Sequence, residues 1–375
     1  MIYMDYNATT PISPEVVEAM LPFLYGNYGN PSSVHEMGKT AKTALEEARG
    51  QVANLLNCHP SEVIFTSGGS ESNNMVIKGV AYTYKNKGNH IITSVIEHPA
   101  ILKPLQYLES IGYKVSYVGV DQYGMVNPSD IERLITDETI LVTVMHANNE
   151  TGTIQSIKDI ADICKKHDVF FHTDASQSVG KIPTDVNALG VDFLTIAGHK
   201  LYAPKGIGAL YIREGIIIEP LIHGAGHESG KRAGTENVMF QVGLGKACEL
   251  AAGSINDNRI QQLTDYFYGG ICQLFGDKVT LNGHPQLRLP NTLNVSFLGF
   301  EGNAILNGLH DVAASTGSAC HSGTTTLSPV ISAMNVTEEV GRGAVRFSLG
   351  RMTSKEDVDE VLEKLQKMIG LIFNG

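Results

Sequence analysis

Short apolar runs alternate with stretches of helical period along roughly the first 215 residues. The runs at 63–66, 90–94, 114–118, 140–145, 169–173, 192–196 and 208–212 predict strands. Between them apolar residues return at helical spacing. Ala41, Leu45, Ala48, Val52, Leu55 and Leu56 fall on one helix face, and Ser13-Pro14-Glu15 reads as an N-cap, a first-turn proline and a first-turn acid. Strands alternating with helices predict an α/β fold, its central sheet mostly parallel and covered by helices on both faces. Beyond about residue 255 the rhythm changes to a helix, strands at 292–297 and 344–348, and a final amphipathic helix from Thr353. This predicts a smaller α+β domain, with the division around Ala252-Gly253-Ser254.

Composition narrows the function. At 42% apolar and 18% charged residues the chain falls in the ordinary globular class. A net charge of -11 argues against nucleic acid as the main partner, because phosphate backbones need clustered Lys and Arg. No run of about eighteen apolar residues predicts a membrane span. The opening Met1-Ile2-Tyr3-Met4-Asp5 lacks the basic and apolar regions of a signal peptide, so a cytoplasmic location is expected. The 5 cysteines include no C-x-x-C pair, and their odd number fits a reducing compartment. Cys58, Cys164, Cys248 and Cys272 sit in apolar or helical contexts and read as small buried hydrophobes.

Ligands of open α/β sheets bind outside the carboxyl ends of the strands, which selects the polar residues to weigh. The run 63–66 enters Ser67-Gly68-Gly69-Ser70-Glu71 and then a helix, either a tight turn or a cradle for an anion such as phosphate. The run 169–173 leads into Asp174, which is either a helix cap or the partner of a protonated ligand nitrogen. The run 192–196 leads into Ala197-Gly198-His199-Lys200, where the lysine is either solvated or a Schiff-base former. Cradle, carboxylate and amine together are what pyridoxal phosphate requires. Cys320 lies in a small, polar, glycine-flanked stretch, 313–326, that predicts a mobile loop. There it is either an incidental exposed cysteine or a reactive thiol. Two patterns offer less: Gly224 to Ser229 has serine at the third glycine position of a dinucleotide loop, and Cys164, His167 and His172 need not converge on a metal, so no metal is expected.

These motifs resemble the cysteine desulfurases of the NifS and IscS type, within the class V aminotransferase group of pyridoxal-phosphate enzymes. The likeness runs through Met4 to Pro11, Gly29 to Ser33, Phe65 to Asn74 (FTSGGSESNN), Glu97-His98 and His146 to Gly152. It continues through His172 to Gln177, Gly198-His199-Lys200, Pro204 to Gly206, Arg232 to Asn237, Gly317 to Gly323 and Arg346 to Arg351. The resemblance implies fold type I, with 13–254 as the cofactor-binding domain and 1–12 with 255–375 as the small domain carrying Cys320. It implies that Lys200 holds the cofactor as a Schiff base, Asp174 pairs with the pyridinium nitrogen and Gln177 meets the ring hydroxyl oxygen. His98 stacks on the ring and moves protons, and Gly69, Ser70 and His199 hold the phosphate. Thr235 reaches the phosphate from a partner subunit, which implies a homodimer, while Asn149 and Arg346 bind the substrate carboxylate. Cys320 then takes the sulfur of L-cysteine as a persulfide, releasing alanine. The implied acceptor is a protein such as an iron–sulfur scaffold or a tRNA-thiolation protein.

Three positions depart from that pattern. Ala197 stands where serine is common, which removes one phosphate donor; Ser229 replaces a common arginine; and His321 follows Cys320. The Cys-His-Ser order also resembles selenocysteine lyases, so L-selenocysteine stays open as the substrate. A non-catalytic sulfur-relay scaffold on the same fold is the alternative of another class.

Overall fold

The computed structural model describes residues 1–255, 257–316, 318–321 and 324–373, leaving aside the side chains at 318–321, 324–326 and 369–373. All seven predicted strands of the first part form one sheet. Its order is Val63–Thr66, Gly208–Ile212, Phe193–Ala197, Phe170–Asp174, Thr139–Thr143, His90–Ser94 and Lys114–Val118. Neighbours run parallel, except that Gly208–Ile212 is antiparallel to the strands on either side. Period-two alternation splits the sheet between two cores. Val63, Phe65, Leu194, Ile196, Ala209 and Tyr211 join one, with the helices Glu36–Leu56 and Val238–Ser254. Ile64, Phe193, Leu210 and Ile212 join the other, with the helices Gly69–Thr83 and Pro99–Ser110. Burial on both faces explains why these strands read as unbroken apolar runs.

Two strands start one residue later than expected and therefore also end one later. Asp168 adopts a left-handed φ of 54°, and Val169 N–H still donates to Cys164 O, so Val169 closes the preceding helix. At Asp192 the side-chain carboxylate, not the backbone carbonyl of a strand partner, accepts from Phe171 N–H, while the Asp192 backbone bonds Phe171 O and Arg213 N–H. As a result Asp174 and Ala197 are the last residues of their strands. Capping differs from expectation at one helix start and moves another. Ser13 precedes the helix Pro14–Tyr25, but its hydroxyl donates to Glu15 and caps no backbone N–H. The last helix begins at Lys355, because Ser354 and Asp357 exchange side chain and backbone in a capping box.

A second, antiparallel sheet runs Ser315–Thr316, Ala344–Ser348, Thr292–Phe297 and Val279–Leu281. Phe267, Phe297, Phe347, Leu293 and Val361 build its core with the helices Arg259–Phe275 and Lys355–Phe373. Met4 from the chain start is buried in that core, and Ile2–Tyr3 pairs in parallel with Val312–Ala313. The segment 4–10 then crosses to the first sheet, where Thr10 N–H donates to His199 O.

Beside Ser229, which takes the place of a common arginine, Glu228 supplies a buried charge pair. Its carboxylate accepts from both terminal nitrogens of Arg49 at 2.7 and 2.8 Å and from Phe65 N–H at 2.8 Å, all buried. Removing one partner of such a pair leaves the other uncompensated, at about 3–5 kcal/mol. Glu228→Ala is therefore expected to lower the thermal unfolding midpoint by several degrees. An unchanged midpoint in differential scanning calorimetry would rule out a stabilising role for the pair.

Candidate active site

The strand ends Thr66, Asp174 and Ala197 open onto a cleft of about 400 Å³, closed from the second sheet by Arg346. Gly68 turns the chain at φ 147° into the helix Gly69–Thr83, whose first residues Gly69 and Ser70 line the cleft. Free N–H groups at a helix start favour an anion there. A Cβ built on Gly69 would lie 3.0 Å from Ser176 Oγ and 3.4 Å from Ala197 Cβ, so a side chain would crowd the cradle. Ser176 lines the same cleft.

Asp174 is buried and held at both oxygens, Oδ1 accepting from Ser176 N–H at 2.9 Å and Oδ2 from Asn73 Nδ2 at 2.7 Å. That fixes its carboxylate toward the cleft it lines. Lys200 follows the strand Phe193–Ala197 on a single 3-10 turn, Gly198–Lys200. Its Nζ donates to Asn7 O at 2.5 Å and Ala8 O at 2.8 Å. Burial, then the nearby Arg346, push the amine down to about 8, although Asp5 and Asp174 oppose the shift. His199 bonds Thr9 Oγ1 through Nδ1 at 3.2 Å, and burial draws it down to about 4.

His98 caps the helix Pro99–Ser110, its Nδ1 accepting from Ala100 N–H at 3.1 Å. That bond assigns Nδ1 as the acceptor of a neutral ring. Burial lowers its proton affinity further, against the pull of Asp174. The preceding Glu97 is buried, and burial raises it to about 8 even though Ser94 Oγ and Met145 N–H donate to it.

Arg346, on the strand Ala344–Ser348, is anchored by Asn149 O at 2.9 Å and Asp5 Oδ1 at 2.8 Å, while its buried Nε has no partner among the described residues. Asp5 Oδ1 also accepts from Ser315 Oγ at 2.9 Å. Asn149 lines the cleft, and its carbonyl takes a second bond from Asn7 Nδ2 at 3.2 Å.

The structure thus brings Gly69, Ser70, His98, Asn149, Asp174, Gln177, His199, Lys200 and Arg346 to one cleft. Thr235 is not among its lining residues and lies exposed before the helix Val238–Ser254. The backbone of Ser318–His321 pairs with Thr324–Leu327 as a hairpin, Cys320 opposite Thr325, where irregular chain was expected. The Cys320 side chain lies outside the described residues.

Asn7 is the residue whose importance went unread. It stood inside a quoted motif with no role, yet it ties both sheets together. Its Nδ2 donates to Thr292 Oγ1 at 2.8 Å, its N–H donates to Ser348 Oγ at 2.9 Å, and its carbonyl accepts from Gln177 and Lys200. Asn73, the anchor of Asp174, and Asp5, the anchor of Arg346, were missed in the same way. The only signal was their place inside the matched motifs.

The description "Aminotransferase class-V" matches residues 2–361. The chain belongs to that family. Curated relatives carry the name "Cysteine desulfurase IscS". One from Dictyoglomus turgidum is 50% identical, covering 98% of this chain and 94% of its own length. One from Methanosarcina thermophila is 48% identical over 100% and 93%. A solved "NifS-like protein" superposes with a TM-score of 0.92 at 39% identity, covering 99% of each chain. The enzymes of this family depend on pyridoxal phosphate, and the cleft fits that group. An anion cradle opened by Gly69, a carboxylate fixed at both oxygens and a buried amine of lowered proton affinity converge on one volume.

Proposed function

We propose that this chain is a pyridoxal-phosphate-dependent cysteine desulfurase that converts L-cysteine to L-alanine and takes the sulfur as a persulfide on Cys320. The observation that carries the reading is the full-length likeness to curated cysteine desulfurases, with the cofactor constellation intact in one cleft. The bound cofactor supplies an electron sink that stabilises charge at the substrate's α-carbon and weakens the bond to its β-substituent.

The chain's own residues do the rest. Lys200 would hold the cofactor's aldehyde and, freed by substrate, would serve as the base at the α-carbon, since its lowered proton affinity leaves some amine neutral. Asp174 holds a proton on the ring nitrogen through its fixed carboxylate. Gln177 would meet the ring oxygen, and His98, a neutral ring held through Nδ1, would carry protons beside the cofactor. Gly69, Ser70 and His199 hold the phosphate, and Ser176 supplies a hydroxyl beside the position where Ala197 has none. Arg346 and Asn149 grip the substrate carboxylate. The Cys320 thiolate attacks the substrate sulfur, the carbon–sulfur bond breaks, and the carbon takes a proton to become the methyl group of alanine. A protein acceptor then takes the persulfide sulfur.

The same reading makes 13–254 the cofactor domain and 1–12 with 255–375 the small domain, a division supported by a main core on each side, with a small shared cluster of Ile96, Met145, Val330, Ile331 and Met334 where they meet. It makes the enzyme a homodimer in which Thr235 serves the partner's phosphate site. The exposed Leu24, Tyr25, Tyr28 and Val34 supply apolar surface for such an interface. No helix among the described residues is long and apolar enough to cross a membrane, and the cysteine content supports a cytoplasmic setting.

The test is alanine formation from L-cysteine and from L-selenocysteine, each followed without oxygen and compared as kcat/KM. Efficient turnover of cysteine is expected. Turnover of selenocysteine with none of cysteine would replace this reading with a selenocysteine lyase, and no turnover of either would favour a sulfur-relay scaffold.

A further inference from the structure

Lys181 has no part in the roles above, yet it enters the hydrogen-bond cluster of the cleft. Its Nζ lies 3.1 Å from Gln177 Oε1 and 3.4 Å from Asn7 Oδ1. Among the described residues it forms no ion pair, and burial followed by Lys200 and Arg346 brings it down to about 7. A half-buried lysine without a carboxylate partner is costly, so its placement calls for a reason.

The surrounding bonds fix which way each amide faces. Asn7 Nδ2 donates to Asn149 O, a carbonyl that only accepts, so Asn7 Oδ1 is the acceptor toward Asn291 at 3.0 Å and toward Lys181. Gln177 Nε2 donates to Asn7 O at 2.9 Å, another pure acceptor, so Gln177 Oε1 is the atom turned to Lys181. An amide nitrogen carries two hydrogens. One serves Asn7 O, and the other is left for the cleft that Gln177 lines. Without a donor at Oε1, that oxygen is left unpaired and the bond to Asn7 O alone holds the amide, so its orientation is less firmly fixed.

We propose that Lys181 is a positioning residue that locks the Gln177 amide with its NH2 toward the cofactor's ring oxygen, so that this oxygen meets a donor rather than a second oxygen. This rests on the reading of the cleft as a pyridoxal-phosphate site. A donor at that oxygen favours the more negative form of the bound group, in which the nitrogen linking it to Lys200 has lost its proton. The pH midpoint of the visible absorbance change reports that proton. The charged and titratable groups facing the cluster are Lys200, Arg346, Asp5, Asp174 and His98 on the cleft side, with Tyr6, Tyr202, Asp257, Arg259 and Arg351 in the neighbouring cavity that Lys181 lines, and a substitution at Lys181 leaves all of them in place.

The experiment is a spectrophotometric pH titration of cofactor-loaded wild type, Lys181→Met, Gln177→Leu and the double variant. Lys181→Met is expected to raise the midpoint by about one pH unit, and Lys181→Arg, which keeps a donor, to stay near wild type. In the Gln177→Leu background Lys181→Met is expected to add almost nothing, because its effect passes through the amide. An unchanged midpoint in Lys181→Met overturns the proposal. So does an equal shift in both backgrounds, which would make Lys181 a bare charge acting on its own. If the methionine variant does not fold, Lys181→Ala takes its place in the same cycle. A wild type that develops no visible band with added pyridoxal phosphate removes the reading of the cleft, and the proposal with it.

Discussion

Cys320→Ala is expected to lower alanine formation from L-cysteine by a factor on the order of 10³ or more. The reason is a division of labour between two parts of the chain. The cleft, from Gly69 to Arg346, gathers the groups for the cofactor and the substrate carboxylate from residues other than Cys320. The loaded variant should therefore keep the visible absorbance of the wild type and still change its spectrum when cysteine is added. What it lacks is a nucleophile to take the sulfur, so the carbon–sulfur bond has no acceptor for its departing atom. Mass spectrometry of the protein after cysteine treatment should show a gain of one sulfur in wild type and none in the variant. A variant that still forms alanine at the wild-type rate would remove Cys320 from the reaction.

The second large effect is expected at Lys200. Lys200→Ala removes both the amine that holds the aldehyde and the base at the α-carbon, and kcat should fall by a factor on the order of 10⁴ or more. Borohydride reduction should fix the cofactor covalently to wild type and not to the variant. The wild type carries a pH signature as well. Because the Lys200 amine sits at about 8 rather than its usual value, about a tenth of it is neutral at pH 7. A free lysine of pKa about 10.4 would be neutral in roughly one molecule in 2,500. The neutral amine is the nucleophile, so cofactor attachment to the unloaded protein should quicken about tenfold per pH unit below 8 and level off above it. An attachment rate that keeps climbing to pH 10 would show that burial does not depress this lysine.

Most of the chemistry was legible along the chain because it follows strand ends. Thr66, Asp174 and Ala197 close three strands of one sheet, and the groups beside them face the same side. Alternation of two, the helical period and the matched motifs therefore determined by themselves the strands, the mostly parallel sheet, the family and the cradle, acid and amine. They missed by one residue where a neighbour intervened, as when the helix ending at Lys166 kept Val169.

What only the tertiary structure decided is the network that holds these groups. Asn7 meets Lys200 across 193 residues and Asn291 across 284, and Asp5 meets Arg346 across 341. No local period encodes such pairings; they arise when the chain start threads between two sheets and its polar atoms, shut off from water, must find partners there. The same holds for Lys181. Its spacing of four from Gln177 could be read from the sequence, but the direction of that amide is set jointly by Lys181 and by the Asn7 carbonyl delivered from the chain start.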